Sequence, residues 1–295
     1  DLSCYNRMTG GAHSCPDGLS VRSIFIMDFL DTIILGAVQG FTEFLPVSSS
    51  GHLNLLQALL GVGEVPIFYD VMLHVGTLVA VFIVLWPEIV AILSHPIKNK
   101  LGMLILATIP AVVVTLVAEK AAPETFASVL DGKYLAFGFY ATTGVLVACE
   151  LVAQRIERKR GIELPQAMAM GLMQAAAILP GLSRSGSTIA GGLFSGVGRE
   201  KAAKFAFLMS IPAILGGVVF GAKDVAENGM GDVSVPAVIV GAIVAAVCGF
   251  IAIKFMLRLI SKYKLYGFAI YTAVIGTVVL VESMTAGHYF VNPFV

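Results

Sequence analysis

Apolar runs and the residues that interrupt them divide the chain into ten segments, roughly 28–45, 51–62, 67–93, 101–118, 134–154, 165–179, 186–196, 202–222, 236–258 and 265–284. A helix needs about 20 residues to cross a bilayer, with a minimum near about 17. Segments 51–62, 165–179 and 186–196 are therefore too short, and 28–45 is borderline. The other six are long enough to cross. The short segments form two pairs, broken at Pro46 to Gly51 and at Pro180 to Gly186. This pattern predicts two helix-loop-helix units that enter the membrane and return on the same side.

The two broken pairs also resemble each other. Gly36-Ala-Val-Gln39 reads against Gly171-Leu-Met-Gln174, Leu45-Pro46 against Leu179-Pro180, Ser50-Gly51 against Ser185-Gly186, and Gly61-Val62 against Gly196-Val197. Most of these matches share one offset. They predict two five-segment repeats, about 27–154 and about 165–284, within one membrane domain covering 27–295. Each repeat holds three crossings, and an odd number inverts the second copy relative to the first. The fold class expected is thus an all-α integral membrane protein with six spanning helices, two re-entrant pairs and inverted-topology repeats.

Composition agrees with a polytopic membrane protein. Of 295 residues 57% are hydrophobic and 13% charged, and the mean hydropathy is +0.89, outside the range of soluble domains. A formal net charge of zero argues against nucleic acid as a partner. The distribution of positive charge is more informative. Loops 94–100, 155–164, 197–204 and 258–264 share one side on this topology and hold twelve Lys or Arg, against five on the other. The positive-inside bias makes the first side cytoplasmic, so loops 119–133 and 223–235 and both termini face outward. The first broken pair then enters from outside and the second from the cytoplasm.

Residues 1–26 lack the order of regions of a secretory signal and are expected to lie outside the fold, with Met27 opening the apolar pattern. Cys4 and Cys15 could pair outside the cell, whereas Cys149 and Cys248 sit singly in apolar runs and read as core.

Two stretches carry candidate chemistry. In Gly36 to His52, GAVQGFTEFLPVSSSGH, Gln39 and Glu43 lie one helical turn apart. An amide oxygen and a carboxylate on one face could meet a divalent cation or a protonated ligand group. The bland alternative is a packing Gln beside a buried, protonated Glu. Ser48, Ser49, Ser50, Gly51 and His52 follow, and such a serine cluster can also serve merely to satisfy backbone groups freed by the break. In the second stretch, Pro180 to Thr188, Arg184 is the only fixed positive charge in either break. It is either a structural partner for Glu43 or a bidentate phosphate ligand assisted by Ser183, Ser185, Thr188 and the amides opening the next helix. The hydroxyl density favours phosphate. Asp70 and His74 form a further i, i+4 pair, Asp70 explained equally well by helix-start capping and His74 deep enough to line the same cavity. Glu150, Lys254 and Arg258 are expected to snorkel at helix ends, Arg199 and Lys204 to anchor at the cytoplasmic face, and Trp86 to join the interfacial belt.

Gln-x-x-x-Glu with Phe-Leu-Pro-Val-Ser-Ser-Ser-Gly-His, and Pro-Gly-x-Ser-Arg-Ser-Gly-x-Thr, resemble the motifs of the undecaprenyl-pyrophosphate phosphatases of the bacitracin-resistance type. The resemblance runs from about Met27 to about Glu282. It implies an enzyme of the bacterial cytoplasmic membrane, acting on its outer face, that removes the terminal phosphate of a C55 polyprenyl pyrophosphate and returns the lipid carrier to cell-wall synthesis. It further implies Ser49 as nucleophile, His52 as essential histidine, Arg184 as phosphate ligand, and Gln39 with Glu43 beside a divalent cation, Mg²⁺ or Ca²⁺. Some members carry Glu at the position of Gln39. The amide leaves one negative charge fewer, so metal binding rests more on Glu43 and on the substrate's phosphates.

The residues by themselves fit phosphoryl transfer, with Arg184 and a cation on the equatorial oxygens and Ser49 or a water attacking in line. His52 could take the nucleophile's proton or hand one to the leaving group. The expected partners are the polyprenyl pyrophosphate and membrane lipids, and a homodimer stays open. The rival is a polyprenyl-phosphate transporter or flippase, since inverted repeats with broken helices also build carriers. A carrier has no evident need for His52 three residues from Ser49. A receptor or scaffold leaves the buried polar groups unexplained.

Overall fold

A computed structural model of the chain describes residues 29–62, 65–96, 101–121, 134–156, 161–230 and 234–285. Among them are eleven helices and no strand: α1 (Phe29–Phe44), α2 (Ser49–Leu60), α3 (Ile67–Val84), α4 (Trp86–Ser94), α5 (Leu101–Ala121), α6 (Leu135–Ala153), α7 (Leu164–Ala176), α8 (Arg184–Phe194), α9 (Arg199–Asn228), α10 (Val235–Lys262) and α11 (Tyr266–Thr285). Six of them, α3, α5, α6, α9, α10 and α11, are long and apolar enough to cross a membrane. Their outer faces carry the stripes that lipid requires: Ile105, Ile109, Val113 and Val117 on α5, and Ile270, Val274, Val278 and Val281 on α11, are exposed at helical spacing.

The expected segment 67–93 is two helices. Pro87 lacks an amide proton and its ring opposes the carbonyl four residues back, so the chain turns at Leu85 and restarts with Pro87 in the first turn of α4. Trp86 is exposed there. The 1–26 extension, with Cys4 and Cys15, lies outside the described residues.

Helices pack across the two halves of the chain. α10 lies on α1 and α3, α5 on α7, α11 on α6, and α8 is held by α7, α6 and α9. Glycine permits the closest approaches: a Cβ at Gly36 would sit 2.6 Å from the carbonyl oxygen of Gly241, and one at Gly171 would sit 2.2 Å from that of Ala107. Backbones meeting at small residues are the usual helix contact in a bilayer.

Backbone hydrogen bonds in the two broken pairs recur 135 positions apart. Ser48 Oγ accepts from the Gly51 amide at 3.3 Å and Ser183 Oγ from the Gly186 amide at 3.1 Å. At the far ends, Gly61 N donates to Ala58 O and Gly196 N to Leu193 O, both at 3.2 Å, and Val62 and Val197 repeat the next bond. Each serine is the N-cap of its helix. The second break is fastened from outside as well. Thr142 Oγ1 donates to Gly181 O and accepts from Ser183 N, both at 2.8 Å, which satisfies two backbone groups that Pro180 and Gly181 leave outside a helix.

At another end of the bundle, Glu150 is fully buried. Its carboxylate pairs with Arg199 and accepts the Leu265 amide at 2.9 Å, while Arg199 also donates to Tyr263 O at 3.3 Å. This corrects the expectation that Glu150 snorkels and Arg199 is a simple anchor. The pair ties α6 to the start of α9 and to the α10–α11 connection, and removing one partner would leave a buried polar group uncompensated.

Candidate active site

Glu43, in the last turn of α1, is the hub of the polar cluster. Its side chain is 1% exposed. Gln39, one turn earlier, donates its amide nitrogen to Glu43 Oε2 at 3.0 Å. Ser49, the first residue of α2, donates its hydroxyl to the same oxygen at 2.6 Å. Arg184, the first residue of α8, pairs with Oε1. His74 on α3 brings Nε2 to 3.8 Å from Oε2, while its Nδ1 sits 2.9 Å from Asp70 O and 3.6 Å from Asp70 Oδ2. Four helices thus converge on one carboxylate. A guanidinium and two neutral donors surround it.

These groups open onto a cavity of about 320 Å³. Glu43, the serines 48 to 50, Asp70, His74 and Arg184 form its polar wall. Ala177, Ile178 and Leu182 after α7, with Ala213, Ile214 and Val218 of α9, form the apolar one. A ligand that is anionic at one end and hydrocarbon at the other matches both walls.

The structure therefore brings together Glu43, Ser48, Ser49, Ser50, His74 and Arg184, and Gln39 stands behind Glu43. Other expected members are elsewhere. Ser183 Oγ caps α8, Ser185 Oγ donates to Leu45 O at 2.8 Å, and Thr188 Oγ1 returns to Arg184 O at 2.7 Å. Their hydroxyls build the loop instead of lining the cavity, because each freed backbone group needs a partner before a ligand does. Gly51 is at the first turn of α2, where a Cβ would be 2.7 Å from the ring of Phe139. His52 is not in the cavity wall; its Nδ1 lies 2.7 Å from Ser48 O and its Nε2 2.8 Å from Tyr271 Oη. Asp70, which the sequence left equally open to helix-start capping and to function, does line the cavity. Tyr271 went unnoticed, being one aromatic in an apolar run whose only signal is a hydroxyl at membrane depth.

Gln39 and Glu43 are the candidate oxygen donors for a divalent ion. Glu43 Oε2 accepts from Gln39 and Ser49 and Oε1 pairs with Arg184, while Gln39 Oε1 is buried without a hydrogen-bond partner among the described residues. Among the described residues no group of three His, Cys, Asp or Glu side chains is placed to hold a metal.

Six membrane-spanning helices and a half-polar, half-apolar cavity with a serine, a carboxylate and an arginine at its polar end define an all-helical, multi-pass membrane protein with a site for an amphiphilic anion. Residues 32–278 match the family model described as bacitracin resistance protein BacA. The chain belongs to that family. It is 40% identical over 277 residues to the undecaprenyl-diphosphatase of Alkaliphilus metalliredigens, covering 88% of this chain and 100% of that one. Similar values hold for the undecaprenyl-diphosphatases of Rhodopirellula baltica, 38% over 264 residues with 88% and 100% covered, and Methanobrevibacter smithii, 39% over 283 residues with 88% and 99% covered.

Proposed function

We propose that this protein is an undecaprenyl-diphosphatase, hydrolysing the phosphoanhydride of a polyprenyl diphosphate to the lipid monophosphate and inorganic phosphate. The observation that carries the reading is the hydrogen bond from Ser49 to Glu43 beside Arg184. Glu43 takes the Ser49 proton as the oxygen attacks the terminal phosphorus, and the bridging bond to the lipid phosphate breaks. Arg184 leaves Glu43, whose charge is now neutralised, and turns its fork to the phosphoryl oxygens. The product is phosphoserine at Ser49 with Glu43 protonated. Water then attacks the same phosphorus, Ser49 recovers its proton from Glu43, and phosphate departs. His74, Ser48 and Ser50 hold the non-reacting oxygens, and the α7–α9 wall takes the first prenyl units. A divalent cation bound together with the diphosphate, beside Glu43 and Gln39, would neutralise charge on the phosphate oxygens.

The enzyme works in the bacterial cytoplasmic membrane with its cavity toward the outside, recycling the carrier lipid for envelope synthesis and thereby opposing bacitracin. The broken pairs are re-entrant and the two halves, 27–154 and 165–284, are inverted repeats. Support comes from the matched hydrogen bonds at the two breaks and from the equivalent crossings at Gly36–Gly241 and Gly171–Ala107. Purified protein given undecaprenyl diphosphate labelled in its terminal phosphate tests the activity: release lost in Ser49→Ala and Arg184→Ala supports it, and tight lipid binding without any release by wild type favours a carrier.

A further inference from the structure

We infer that His52 is a positioning residue, held by Tyr271, that fixes the turn presenting Ser49 to Glu43, and that it carries no proton in the reaction. The inference rests on the phosphatase reading for its kinetic consequences and on geometry for its substance.

Both nitrogens of the His52 ring are committed. Nδ1 faces the carbonyl oxygen of Ser48 at 2.7 Å, and a carbonyl only accepts, so Nδ1 carries the proton. In the neutral ring Nε2 then holds the lone pair and accepts from Tyr271 Oη at 2.8 Å. The two rings are nearly parallel, 7° apart with centroids separated by 5.6 Å, and Phe139 packs edge-to-face with the imidazole at 5.4 Å. His52 is buried, and no ion pair reaches it among the described residues. A ring clamped in this way has no free nitrogen to offer Ser49, whose hydroxyl is already on Glu43.

The residue that His52 steadies explains why a clamp is needed. Ser48 has φ +72° and is the only non-glycine residue with positive φ among the described residues. That conformation is disfavoured for an L side chain. Its carbonyl receives two donors, the His52 amide at 3.2 Å and the His52 ring at 2.7 Å. The strained turn sets the direction in which Ser49 leaves it. At the equivalent place in the second break, Ser183 has φ −64°, and Ser187 stands where His52 does, its hydroxyl without a partner among the described residues. The strained turn and the ring that clamps it occur in the same copy, the one that carries the nucleophile.

The test compares wild type, Tyr271→Phe, His52→Asn, His52→Ala and the double variant His52→Ala/Tyr271→Phe in detergent, following phosphate release and thermal midpoint. Asparagine can donate to the Ser48 carbonyl but cannot relay a proton at neutral pH. The expected results are a kcat about fivefold lower in Tyr271→Phe, the scale of one hydrogen bond, with KM and midpoint unchanged. His52→Ala should lose about 10²-fold or more, His52→Asn should recover to within tenfold of wild type, and the double variant should be no slower than His52→Ala alone. A His52→Asn enzyme as inactive as His52→Ala, with Tyr271→Phe at or above the wild-type rate, would overturn the inference. Nitrogen-15 NMR of histidine-labelled protein, with the His52 signals identified by their loss in His52→Asn, checks the clamp without turnover. A neutral ring protonated at Nδ1 upholds it. A ring protonated at Nε2 sinks it, even if wild type proves to release no phosphate and the phosphatase reading itself fails.

Discussion

At the end of α1, Gln39 reaches a carboxylate at Glu43; 135 residues on, Gln174 has Ile178 in that position and its amide, buried in the protein, finds no partner among the described residues. Ser49 corresponds in the same way to Arg184, Ser50 to Ser185 and His52 to Ser187. Glu43 and Ile178 both line the cavity, as do Ser49 and Arg184. The hydrogen bonds at the two breaks match, yet one copy holds the proposed nucleophile and base, Ser49 and Glu43, while the other supplies a single cation and an apolar wall. The comparison teaches that the repeated loop makes a cradle, and that the chemistry comes from the few positions where the copies differ.

The most severe way to break this asymmetry is to remove the carboxylate. Glu43→Gln keeps the shape but leaves Ser49 without a base and Arg184 without its resting partner, and kcat should fall by about 10³-fold or more. Arg184→Lys keeps the charge and loses the planar fork, with an expected loss of about 10²-fold. The paired glutamines sharpen the contrast. Gln39→Leu removes a donor from a buried carboxylate and should lower kcat about tenfold, whereas Gln174→Leu replaces an amide without partners and should leave the rate within about twofold of wild type. The smallest kinetic effect belongs to the cradle itself: Ser183→Ala loses an N-cap and should reduce folding stability by about 1 kcal/mol, seen as a lower thermal midpoint at nearly unchanged kcat. Calorimetric titration of Ca²⁺ or Mg²⁺ into substrate-free protein should give no binding heat, and a stoichiometric site would refute entry of the ion with the diphosphate.

Much of the helix plan could be read from hydropathy, because lipid leaves the backbone few options and every span must be long and apolar. The break between α3 and α4 was missed although Pro87 was visible, since flanking apolar residues run unbroken across it. Within the site, Glu43, Ser49 and Arg184 were found as costly polar residues in apolar surroundings, and they do meet. The hydroxyls of Ser183, Ser185 and Thr188 bond within the loops, and composition cannot tell a hydroxyl aimed at a ligand from one satisfying its own loop. Glu150 and Arg199, 49 positions apart, gave no signal of pairing, and Tyr271 lies 219 positions from His52. Contacts of that range depend on how helices pack, which local pattern does not encode.

The most direct test of the central claim, that the first break carries the nucleophile and its base while the second carries the phosphate grip, is acid-quench trapping with undecaprenyl diphosphate labelled in the terminal phosphate. The account predicts label on Ser49 in wild type, none in Ser49→Ala, and greatly slowed labelling in Arg184→Ala. Label arriving at unchanged rate in Arg184→Ala, or full phosphate release by Ser49→Ala, would contradict it.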